Sequence, residues 1–166
     1  MSRAFVKESH GDDVGDLPEL PLSEHPNYVT PRGLSLLRAR LNEARRGLVA
    51  IDPTAEGAPL QRAHVEREQR WLQARVMAAI PVSVPAAADR IGFGATVELV
   101  DEDDTAHCYR IVGEDEADPE QGVVSWVSPL ARVLHGARVG DNVIWKRPAG
   151  DLKVEVVAIR YGPDRA

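Results

Sequence analysis

The order of apolar and polar positions divides the chain into three stretches. From Thr30 onward, Leu34, Leu37, Leu41, Ala44, Leu48 and Ile51 recur at steps of three and four residues. That spacing lines them up on one stripe of an α-helix and sets a heptad seam against a partner helix. Thr30 suits the N-cap, and Pro31 the first helical position, where no N–H is needed. Asp52-Pro53 ends the run, because the residue before a proline is pushed out of the helical region and Pro53 has no N–H to donate. "PTAEGAP" then supplies a turn. A second helix is expected from near Pro59, with Leu60, Val65, Leu72, Val76 and Ala79 on one stripe, Trp71 beside it, and Pro81 and Pro85 closing it. Residues 28–80 thus read as an antiparallel helical hairpin, a short coiled coil whose helices each run about 30 Å.

Over residues 89–162 the period changes to two. "GFGATVELVD" alternates and ends in the turn "DEDDT"; "AHCYRIVG" and "GVVSWVS" read as further strands, and "DNVIWKRP" and "LKVEVVAIRY" as two more joined by "PAGD". Between the third and fourth strands, Ser128 can cap and Pro129 begin a short helix, with Leu130, Val133 and Leu134 facing inward and Gly136 ending it. One helix on an antiparallel β-sheet makes the chain α+β. "IPVSVPAAADR" is the linker. Residues 1–27, rich in acid and proline, show neither period and read as a disordered tail in which Phe5 and Val6 could make a short linear contact.

Charge alters this picture in one place. The whole chain of 166 residues carries a formal net charge of −6, poor for general nucleic-acid binding. Yet from Arg32 to Arg75 nine arginines face five acids, so the hairpin is net +4 inside an acidic protein. The single Cys108 excludes a disulfide framework and a Cys-rich zinc site, and its place in an alternating run suggests a buried thiol. The N-terminus lacks the apolar core of a signal peptide and no apolar run would span a bilayer, which points to the cytoplasm. The five histidines are scattered without ligand spacing and no nucleophile–base pair stands out, so the chain does not read as an enzyme. "GFGA" is too short for a dinucleotide fingerprint.

The densest chemistry is "VGEDEAD", where Glu114, Asp115, Glu116 and Asp118 crowd together. A cation cage, a solvated loop and a surface for a basic partner are all open to it. The spacing lacks the glycine-punctuated ligands of an EF-hand.

"FGATVELVD", "YRIVGEDEAD", "SWVSPLARVLHGARVGD" and "PAGDLKVEVVAIRY" resemble, in order and spacing, the bacterial transcript cleavage factors GreA and GreB, and "TPRGLSLLRARL" resembles the family's first coiled-coil helix. The likeness covers roughly residues 28–162. It implies an FKBP-like sheet domain that docks on RNA polymerase at the rim of its secondary channel, and a coiled coil that enters the channel. Glu114, Asp115, Glu116, Asp118, Ser128, Pro129 and Arg132 would then lie at or near the docking surface. In the family, an Asp and a Glu at the hairpin tip help hold a magnesium ion, shared with the polymerase, for hydrolysis of backtracked RNA; the protein needs no cofactor of its own.

The family tip, a motif like "GDLSEN", is absent here. Asp52 and Glu56 are the available carboxylates, and two can share one Mg²⁺ with water and phosphate oxygens. The hairpin is also shorter than the family's by roughly two to three turns per helix, about 11–16 Å, whereas a ligand must come within about 2.1 Å of Mg²⁺. Two forms of the function therefore stay open. One assists cleavage. The other only occupies the channel, as the resemblance to a short-hairpin relative, the regulator of nucleoside diphosphate kinase, allows. Two readings from other classes are a prolyl isomerase, which would need Phe93, Tyr109, Trp126, Trp145 and Tyr161 to group, and a coiled coil dimerising between chains. The seam can be filled within one chain, so a monomer is expected.

Overall fold

The computed structural model describes residues 17–83 and 88–162. Two helices, α1 (Pro31–Ala50) and α2 (Ala58–Met77), form the expected hairpin. Thr30 is extended and its hydroxyl oxygen accepts the Gly33 N–H at 2.9 Å, so the first turn of α1 is capped. Leu37 and Leu41 are buried against Leu72, with Leu34, Ala44, Trp71 and Val76 packed around them. Gly57, at φ 76°, takes the left-handed conformation that turns the chain into α2.

The second stripe differs from its prediction at the tip. Leu60 is 48% exposed and Ala58 is buried in its place. At about 100° per residue, Ala58 lies close to the direction of Leu72 and Leu60 about 120° from it. The same stripe carries Arg75, buried to 4% exposure.

α2 ends at Met77, and the chain continues into a strand. The strands β1 (Asn27–Val29) and β2 (Ala79–Pro81) pair in parallel at the foot of the hairpin, Asn27 opposite Ala79 and Val29 opposite Pro81. Neither was predicted, since three residues are too few to display a period of two. Asn27 thus belongs to the body. Residues 17–26, the described part of the tail proposed over 1–27, form no helix or strand and lie along α2 instead of standing apart from it. The contact proposed for Phe5 and Val6, and residues 84–87 of the linker, fall outside the described residues.

The second half is a five-stranded sheet in the order β5-β4-β3-β7-β6, built from β3 (Thr96–Asp101), β4 (Ala106–Val112), β5 (Val123–Ser125), β6 (Asn142–Trp145) and β7 (Leu152–Arg160). The predicted all-antiparallel sheet is corrected at one edge, where β4 and β5 run parallel. Between them the chain makes two 3-10 turns, Glu114–Glu116 and Pro119–Gln121, and returns in the direction it came from. The helix α3 (Pro129–Leu134) is capped by Ser128, whose oxygen accepts the Ala131 N–H at 3.2 Å.

Leu130, Ala131 and Leu134 join Val97, Leu99, Ile111, Val154 and Val156 in the core. Ala131 takes the inward place expected of Val133, which is 38% exposed. Cys108 is exposed, contrary to expectation. It sits on the face of β4 opposite Tyr109 and Ile111, and those two hold the core side. Among the described residues no helix is long and apolar enough to cross a membrane.

Candidate functional site

The acidic segment is where hairpin and sheet domain meet. The turn Glu114–Glu116 follows β4 directly, and Gly113 before it lies against β1. A Cβ on Gly113 would stand 2.4 Å from the Tyr28 carbonyl oxygen, so only glycine permits this approach. A Cβ on Gly33 of α1 would stand 2.6 Å from Glu116 Oε2. Two glycines thus open the space for the contact, one from each side.

Three carboxylates of the segment then engage the hairpin. Thr30 Oγ1 donates to Glu116 Oε2 while accepting the Gly33 N–H, so the cap of α1 is tied to the body. Arg75 Nε donates to Asp115 Oδ2 at 2.8 Å, and the Arg75 side chain is 4% exposed against 9% for Asp115. A second guanidinium nitrogen of Arg75 donates to Asn27 Oδ1 at 2.7 Å and lies 3.6 Å from Glu114 Oε2. Asn27 Nδ2 in turn donates to the Arg75 carbonyl at 2.8 Å. Ser23 Oγ donates to the other oxygen of Glu114 at 2.9 Å. A buried guanidinium needs its charge and its donors met together. Here the Asp115 carboxylate and the Asn27 amide oxygen accept from it, while Glu114, whose Oε2 accepts no hydrogen bond among the described residues, adds charge alone. Nearby, burial lowers the Arg110 pKa, with Arg32 adding to that and Glu116 opposing it.

The predicted docking residues therefore separate into two groups. Glu114, Asp115 and Glu116 turn inward and clasp the hairpin. Asp118 and Pro129 are exposed, Arg132 is exposed within 3.5 Å of His25, and Ser128 spends its hydroxyl on the α3 cap. The clasp was not read from the sequence. Its one cue was the position of Arg75, three residues past Leu72 on the apolar stripe.

At the far end, Asp52 and Glu56 are both exposed in the tip between the helices. Asp52 Oδ1 accepts the Thr54 N–H at 2.8 Å and the Thr54 hydroxyl at 2.7 Å. These bonds hold its pKa below the ordinary carboxylate value, the side-chain bond foremost. One oxygen of Asp52 is thus committed to its own turn. Among the described residues no group of three His, Cys, Asp or Glu gathers as a metal site. The tip offers at most the one or two carboxylates with which a protein contributes to a Mg²⁺ completed by other ligands.

The aromatic residues also separate. Tyr28, Phe93 and Trp126 line an apolar cavity of about 370 Å³ between β1 and α3, with Ile111, Arg132 and His135. Tyr109 pairs instead with Trp145 on the sheet, ring centroids 6.0 Å apart.

Comparison with known proteins bears on the whole arrangement. Residues 86–161 match the family model described as transcription elongation factor, GreA/GreB, C-term. The transcription elongation factor GreB of Neisseria meningitidis serogroup B is 34% identical over 157 residues, covering 84% of this chain and 96% of that protein. The transcription elongation factor GreA of Alkalilimnicola ehrlichii is 40% identical over 152 residues, covering 80% and 96%. The chain belongs to the GreA/GreB family of transcription elongation factors. Among solved structures, GreA factor homolog 1 of Thermus thermophilus matches with a TM-score of 0.41 and 25% identity, over 82% of this chain and 99% of that one.

The GreB match also shows a difference in aligned length. Because 84% of 166 residues is about 139, about 18 of the 157 aligned positions fall opposite gaps in this chain.

Proposed function

We propose that this elongation factor docks on RNA polymerase at the secondary channel through its sheet domain, sends the hairpin into the channel, and regulates elongation by occupying it, without assisting cleavage of backtracked RNA. Hairpin length carries this reading. Each helix has 20 residues. If the missing positions are shared between the two helices, about nine residues per helix, at ~1.5 Å each, shorten the probe by about 13 Å. No side-chain rotamer of Asp52 or Glu56 spans such a gap to a Mg²⁺ that requires ligands within about 2.1 Å.

In this reading Asp118, Pro129 and Arg132 form the docking rim, and Ser128 positions it through α3. Glu114, Asp115 and Glu116 serve docking indirectly, by holding the hairpin at a set angle to that rim. The factor acts in the cytoplasm as a monomer, its seam filled within one chain. The shared Mg²⁺ remains the polymerase's own.

The test uses purified polymerase in backtracked elongation complexes with Mg²⁺. The protein should bind, and should displace a cleavage-competent factor of the family, without accelerating release of 3′ RNA. Asp118→Lys with Arg132→Glu should weaken that binding. Accelerated release that disappears with Asp52→Ala and Glu56→Ala would overturn the non-cleaving reading, and failure to bind polymerase would overturn docking itself.

A further inference from the structure

Residues 17–26 cross from the hairpin to the sheet domain along one side of α2. The Pro18 carbonyl accepts from Arg67 at 3.4 Å, Glu19 Oε1 from Arg70 Nε at 2.9 Å, and the Pro21 carbonyl from Trp71 Nε1 at 3.0 Å. A second nitrogen of Arg70 lies 2.7 Å from Glu19. Farther on, Ser23 reaches Glu114, and the His25 ring stands edge-on to Trp126 at 6.0 Å between centroids.

This strap bridges α2 without sealing against it. A cavity of about 370 Å³ remains beneath it, bounded by Leu20, Pro21, Arg40, His64, Arg67 and Trp71. A second, of about 350 Å³, lies between Leu22–Asn27 and the foot of α2. Leu22 is 54% exposed and Leu17 and Leu20 are only half-buried, so the strap's apolar burial is partial. Its ion pair is exposed at both ends, 54% for Arg70 and 62% for Glu19, the type of contact that solvent and salt weaken most.

The covered face has its own chemistry. The Arg40 guanidinium stands 5.9 Å over the Trp71 ring and 3.5 Å from Glu68, the one carboxylate of α2 on the cavity wall, with Arg67 on the same wall and Arg70 next to Trp71 in the helix. Arg67 Nε is buried and has no hydrogen-bond partner among the described residues. Guanidinium groups grouped about an exposed-edge indole suit a single-stranded polynucleotide, with phosphates on the arginines and a base on the ring. Glu19 and the two proline carbonyls occupy the positions phosphate oxygens would take.

We infer that residues 17–26 are a self-inhibitory strap: they hold the Arg67–Arg70–Trp71 face of α2 against polyanions, and a single-stranded nucleic acid must displace them to use it. Binding of a free oligoribonucleotide needs no polymerase, so its outcome is separable from the docking reading above.

The experiment measures the affinity of the full-length protein for a short fluorescent single-stranded RNA by anisotropy at low salt. Glu19→Gln should tighten binding about two- to five-fold, the range of one exposed ion pair. In an Arg70→Gln background the same change should have no effect, because the pair is already gone. Glu24→Gln, which removes an equal charge from the strap away from Arg70, should leave affinity unchanged. The strap reading fails if Glu19→Gln and Glu24→Gln act alike, if the Glu19 effect survives in the Arg70→Gln background, or if no variant binds RNA more tightly than the parent.

Discussion

Arg75 on the second hairpin helix donates to Asp115 in the sheet domain at 2.8 Å, both side chains all but removed from water. This pair and the Thr30–Glu116 bond join a projecting hairpin to the body that carries it. Removing one partner of a buried pair leaves the other charge unpaired, at a cost of about 3 kcal/mol. Asp115→Ala is expected to lower stability by about that amount in urea unfolding, and Arg75→Met by at least as much, because it leaves the Asp115 and Glu114 carboxylates without their cation. Costs below about 1 kcal/mol for both, the scale of an exposed pair, would show that the charge pair is not what matters at the joint.

Gly113 and Gly33 make contrasting predictions. At Gly113 an added methyl meets the Tyr28 backbone carbonyl, which cannot move without opening the β1–β2 pair. Gly113→Ala should cost about 1–3 kcal/mol, the usual range for overpacking. At Gly33 the methyl meets two side-chain ends, the Glu116 carboxylate at 2.6 Å and the Thr30 hydroxyl at 3.3 Å, which can move apart at the expense of their mutual bond, while alanine gains about 1 kcal/mol of helix propensity. Gly33→Ala should therefore be the milder change in the same unfolding measurement.

The tip has a pH signature. The pKa of Asp52 is depressed chiefly by the Thr54 hydroxyl, so its bonds are present above the ordinary carboxylate value and are lost as pH falls through the lower folded value. Carboxyl chemical shifts should place the Asp52 midpoint below the ordinary aspartate value, and Thr54→Ala should move it upward. An unmoved midpoint would mean that the hydroxyl does not hold the turn.

Much of the architecture was legible along the chain. The period of three and four from Leu34 to Ile51, with Thr30 and Pro31 before it and Asp52-Pro53 after it, marked α1 almost to the residue. The alternation from Thr96 to Arg160 marked most of the sheet. The parallel β4–β5 edge was not visible, because a strand of three residues has the same pattern whichever way it runs. The short strands at Asn27–Val29 and Ala79–Pro81 were hidden for the same reason.

What the sequence determined by itself was local: helix periods, caps, strand alternation, a basic hairpin and an acidic run. The meaning of the acidic run was decided only by tertiary structure. Glu114, Asp115 and Glu116 read as outward-facing because carboxylates ordinarily stay in water. Their partners, Arg75 and Thr30, lie 40 and 86 residues away in the chain. No local pattern records such a pairing, since a carboxylate's burial depends on whether folding brings it a cation and donors that repay its lost hydration. The same holds for Glu19 on Arg70, 51 residues apart, which turns a stretch with no period into a strap across the hairpin.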